Sequence, residues 1–135
     1  MIDFENEIFD GVAKAVRAKF PNATVTSANL IAPAEFPAAM VFEASNVVDE
    51  TMSDSGCIER GAFVAYDAYA YSNAKRGAKS QAKSVMAAID DFMSAHNFTR
   101  TYSAQGPHES NGSIYQVYCR YVATVGENGK IYRRM

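Results

Sequence analysis

Ser113-Ile-Tyr-Gln-Val-Tyr-Cys-Arg-Tyr-Val-Ala-Thr-Val125 is the stretch whose reading decides the fold. It is long, rich in β-branched and aromatic residues, and free of glycine and proline, which marks a strand. Side chains of a strand alternate between faces. One face therefore carries Tyr115, Val117, Cys119, Tyr121, Ala123 and Val125; the other carries Ile114, Gln116, Tyr118, Arg120, Val122 and Thr124. A face meant only for water would be more polar. Residues 58–72 behave alike, with Ala62, Val64, Tyr66, Ala68 and Ala70 on one side and Phe63, Ala65, Tyr69 and Tyr71 on the other.

Two helices are available to cover one of these faces. Residues 3–20 place Phe4, Ile8, Val12 and Val16 at a spacing of four, widened by Phe9, Ala13 and Phe20. Asp3 is the expected N-cap, Glu5 and Glu7 suit the positive end of the helix dipole, and Pro21 stops the helix. A second helix is expected over residues 74–96, capped by Asn73. Its buried stripe is Ala78, Ala82, Val85, Met86, Ile89, Phe92 and Met93, with Lys75, Lys79 and Lys83 along the flank. Asn97 can take the left-handed conformation that ends a helix.

The rest is strand and turn. Residues 23–27 suit a short strand, 38–44 a longer one, and 98–104 another. A polar turn region covers 105–112, and an Asn-Gly turn at 126–129 leads to a short strand over 131–133. Residues 45–57 are polar and acidic (Asp49, Glu50, Asp54) and read as a long loop; loops of that length in compact domains are usually functional, though many are dispensable. The order is α-β-β-β-α-β-β with a possible final β. This is an α+β fold, a mainly antiparallel sheet with two helices packed on it, in one domain over residues 1–135.

Composition narrows the function classes. At 135 residues, 48% apolar and 21% charged, the chain has the size and make-up of one globular domain. A net charge of −2 is not the footprint of a protein whose main task is gripping nucleic acid. No apolar run approaches the roughly 20 residues that span a bilayer, and no signal peptide is expected. Cys57 and Cys119 form no CxxC pair, so neither a disulfide scaffold nor a zinc site is expected.

Catalytic signatures are equally thin. Gly77-Ala78-Lys79-Ser80 is similar to the end of a phosphate-binding loop but lacks the earlier glycine and the Gly-Lys-Ser order, and it sits in a helix pattern. His96 stands where a cation complements a helix C-terminus. His108, Glu109 and Ser110 form a trio common by chance, and His108, Glu109 and Tyr102 are the only residues that suggest a pocket. Asp90 and Asp91 are adjacent on a helix and point apart. Arg120, Lys130, Arg133 and Arg134 tint the C-terminal part basic without a motif. No catalytic, cofactor or metal residues are assigned, and the chain is expected not to be an enzyme.

The order of elements, Phe98-Thr99-Arg100 directly after the second helix, and Ile114-Tyr-Gln-Val-Tyr-Cys-Arg-Tyr121 leading into Val122-Ala123 resemble the tail terminator proteins of long-tailed phages. The resemblance runs over nearly the whole chain through short motifs. Asn97 stands where such proteins often carry glycine, and asparagine tolerates the same backbone. The resemblance implies a homo-oligomeric ring, usually a hexamer, that caps the tail tube, stops its polymerisation and offers a surface for the head-tail connector or neck. It further implies a virion tail or neck protein assembled in the bacterial cytoplasm, with DNA only as passing cargo and no membrane partner.

Other neck or head–tail joining proteins fit nearly as well, and a small ligand-binding domain or enzyme is the more distant alternative. The expected oligomer or partner interface is the second sheet face, with Phe63, Tyr69, Tyr71, Tyr118 and Arg120, together with Asp49, Glu50 and Asp54 of the acidic segment. Tyrosine and arginine are enriched at interfaces. The competing reading is a sandwich-like monomer whose loops cover both faces.

Overall fold

The structure, a computed structural model, describes residues 1–27, 35–48, 61–108 and 112–132. Within these described residues, two helices and six strands follow in the order α1 (Glu5–Lys19), β1 (Thr24–Thr26), β2 (Ala38–Val48), β3 (Gly61–Ser72), α2 (Ala78–Ala95), β4 (Thr99–Pro107), β5 (Tyr115–Gly126) and β6 (Ile131–Tyr132). The sheet runs β1-β2-β3-β5-β4, with β6 added beside β5. Among the described residues, β1–β2 pair in parallel and every other pair is antiparallel. The fold is α+β with a mostly antiparallel sheet, as the hydrophobic pattern requires.

Both helices lie on one sheet face. Ile8, Val12 and Val16 of α1 and Val85, Ile89 and Met93 of α2 bury with Val64, Tyr66 and Ala68 of β3 and Val117, Cys119 and Tyr121 of β5. The alanines of β3 keep that surface low enough for helices to seat closely. Phe98 follows Asn97, whose φ of 69° turns the chain out of α2, and its ring meets Tyr66 edge-on at 5.4 Å.

Several local expectations shift. Asp3 does not cap α1 as its N-cap residue; Phe4 holds that place, and Asp3 accepts a hydrogen bond from the Glu5 amide at 3.0 Å. Asn73 does not cap α2, which begins five residues later at Ala78. Gly77 precedes it in a left-handed conformation (φ 74°), so this glycine ends a turn rather than interrupting a helix. β2 runs past residue 44 to Val48, because a bulge between Glu43 and Ser45 absorbs one residue and lets Asn46, Val47 and Val48 continue the pairing with β3. β4 likewise runs on to Pro107 through a bulge between Arg100 and Tyr102. Most of the acidic segment, with Asp49, Glu50, Asp54 and Cys57, lies outside the described residues, as do Glu109, Ser110, Arg133 and Arg134.

Candidate functional site: the outer sheet face

Among the described residues no helix covers the second face, and cross-strand register fixes which residues meet there. Three successive rows cross the sheet: Ala38, Tyr71, Gln116 and Gly106; Met40, Tyr69, Tyr118 and Ala104; Phe42, Asp67, Arg120 and Tyr102. Phe63 lies further along β3 opposite Val47 and Thr124. The rings form a connected group. Tyr69 and Tyr118 centroids are 4.8 Å apart, Tyr69 and Tyr71 6.1 Å, Phe42 and Tyr69 6.3 Å, and Tyr102 and Tyr118 5.7 Å.

One end of this face is closed by the chain itself. Tyr71 is only 4% exposed, in a small cluster with Ala38, Met40 and Ile114, against which Phe36 packs. The His108 ring lies 5.9 Å from it. Tyr71 is thus on the expected face but is not available to a partner; burial pushes its hydroxyl up to about 12. Among the described residues, the competing idea of loops covering the face holds at this end. Towards β4 the surface is open, with Tyr102 57% exposed. Tyr69, Tyr102, Tyr118, Gln116 and Pro107 surround a groove of about 350 Å³ over Ala104 and Gly106, whose small size leaves the depression.

At the centre sits a residue that the sequence reading passed over. Asp67 is a buried acid on the outer face, accepting hydrogen bonds from Tyr118 Oη (2.8 Å), Arg120 Nε (2.8 Å) and Arg120 Nη2 (3.0 Å). The alternation of residues 61–72 contains the signal, since Asp67 is the one charged residue in that stretch. The hydrogen bonds to Asp67, and then its charge, hold the Arg120 guanidinium above its ordinary value. Burial first, then the bond to Asp67, raises Tyr118 to about 12. The pair is a doubly hydrogen-bonded centre among aromatic side chains.

The residues weighed for chemistry are occupied elsewhere. Asp90 accepts from Tyr121 Oη (2.8 Å) and Arg100 Nη1 (3.1 Å), while Asp91 faces Lys19 at 3.8 Å, so the two aspartates do point apart. His96 Nδ1 lies 2.8 Å from the Phe92 carbonyl oxygen, at the helix end. Among the described residues, no three His, Cys, Asp or Glu side chains gather as metal ligands, and no helix is long and apolar enough to cross a membrane. Comparison with known protein families and with curated proteins finds no match for this chain.

Proposed function

We propose that this chain is a structural assembly protein of the tail terminator kind. In this reading it closes into a ring, six copies by analogy, on the end of a phage or phage-like tail tube, ends tube growth and presents a surface to the neck. It carries out no reaction. The observation that supports this most is the open part of the outer face. Exposed Tyr102 and half-buried Tyr69 and Tyr118 around a satisfied Asp67–Arg120 pair have the make-up of an interface centre, since Tyr and Arg dominate binding energy where water is excluded. Another neck protein would use the same face, and the partner recovered with it separates the two.

Tyr102→Asp tests the reading, because that side chain is exposed and its loss leaves the core untouched. Particles produced with this variant should show tails of uncontrolled length or tails without heads in electron micrographs. Normal-length, head-bearing tails at parental yield would overturn the proposal. The groove beside Tyr102 supports the ligand-binding alternative, and a small molecule retained by the purified protein in native mass spectrometry would favour it.

A further inference from the structure

The helix layer carries its charge in two poles at opposite ends of the sheet. At the end where β2 leaves and β3 enters, Asp3, Glu7 and Asp10 are exposed along the start of α1. Glu5 and Glu43 lie beneath them, half-buried. Asn46 Nδ2 donates to the Ile2 carbonyl at 2.7 Å and the Glu43 amide donates to Glu5 Oε2 at 2.7 Å, which fixes this pole on β2. At the other end, where β3 finishes, Ser72 Oγ bonds Gln81 and places the start of α2. There Lys75, Arg76, Lys79 and Lys83 are all exposed, and none of them is ion-paired among the described residues.

The basic pole is unfavourable by itself, and the acidic pole, though its residues suit the start of α1, crowds like charges around Glu43. Cations at the start of α2 stand at the positive end of its dipole, where acids are preferred, and its first turn holds no acid. At the acidic pole, burial, then Asp3, and further Glu5, raise the Glu43 carboxyl above its ordinary range. Small residues Gly77, Ser80, Ser84 and Ala87 beside Lys79 and Lys83 leave a groove along the exposed side of α2, so another backbone can come near.

We infer that the acidic first half of α1 in one copy docks on the basic first half of α2 in a second copy, head to tail. Opposite charge is the complementarity that selects the occupant, and the chain itself supplies both signs. Two different patches meeting make a heterologous contact, which closes into a ring when the rotation permits. The inference deepens the ring reading and rests on it only for closure; the contact lies on the helix layer, away from the aromatic face.

Sedimentation equilibrium of the full chain, from about 10 μM to about 1 mM, tests the contact without tails. The parent should associate at low salt and dissociate as salt shortens the screening length from about 10 Å near 0.1 M to about 3 Å near 1 M. The double variants Lys79→Glu with Lys83→Glu, and Glu7→Lys with Asp10→Lys, should each bind themselves at least tenfold more weakly. An equimolar mixture of the two should associate again, because every contact then pairs opposite signs. All four positions are exposed, so both variants should keep the parent's circular dichroism; Lys79→Gln with Lys83→Gln serves if a reversal disturbs folding.

A parent monomeric over the whole range, or a folded mixture that stays monomeric, would overturn the inference. A salt-insensitive oligomer that survives both reversals would do so too, while leaving the ring reading intact with the outer face as its contact. Loss of capped tails in Tyr102→Asp bears on the function alone.

Discussion

Arg120 grips Asp67 with two parallel hydrogen bonds, Nε to Oδ1 at 2.8 Å and Nη2 to Oδ2 at 3.0 Å, across adjacent strands β5 and β3. The burial of the two partners is unequal: the Asp67 side chain is 10% exposed and that of Arg120 44%. Removing the arginine strands a buried carboxylate, whereas removing the acid leaves a guanidinium that can turn to water. Arg120→Ala should therefore cost about 2–3 kcal/mol and Asp67→Asn about 1 kcal/mol in denaturant unfolding. Equal losses would show that the aspartate is better hydrated than its burial implies.

Tyr71 and Tyr102 lie on the same face with opposite roles. Tyr71→Asp puts a charge into the cluster of Ala38, Met40 and Ile114 and should cost more than about 3 kcal/mol. Tyr102→Asp should stay within about 0.5 kcal/mol of the parent. Thermal melts of the pair are the check; a parental melt for Tyr71→Asp would mean that the cluster opens readily to water.

Glu43 gives the stability a pH dependence of defined sign. Its folded carboxyl titrates above the ordinary 4.5, through burial and then Asp3, so the native state holds a proton that the unfolded chain has released. Stability from this group is present below that value and declines as pH rises through the folded titration. Glu43→Gln keeps polar contacts for Asn46 and Tyr66 but removes the charge. It should flatten the slope of unfolding free energy just above pH 4.5 and leave the variant more stable than the parent at neutral pH. A steeper slope would reverse the assignment.

Asn97 closes α2 with a φ of 69° and also donates from Nδ2 to the Ile131 carbonyl at 3.0 Å. Asn97→Gly relieves the backbone but loses that bond, and the two effects should cancel to within about 0.5 kcal/mol. Asn97→Ala loses the bond and gains strain, about 1–2 kcal/mol in urea unfolding. A stabilised Asn97→Gly would show that the tie to β6 is weak.

The period-two alternation within residues 58–72 and 113–125 and the four-residue spacing of Ile8, Val12 and Val16 suffice for the architecture, because burial of an apolar stripe depends on local periodicity. Element ends were harder. β2 and β4 pass beyond their apolar cores because bulges and cross-strand pairing hold Val47 and Gln105 in the sheet, and the partners of those pairs are distant in sequence. Gly77 looked like a helix interior because nothing near it reveals a positive φ.

Sequence by itself determined which residues can share a face, since side-chain direction in a strand or helix follows from position along the chain. Only the tertiary structure decided which part of the outer face stays open. Tyr71 and Tyr118 have the same alternation and chemistry, yet Ile114 and Phe36 pack around the first and leave the second at a groove. Asp67 and Arg120 likewise became partners only when β3 and β5 paired in register, because a contact between residues 53 apart is fixed by strand pairing and by no local preference.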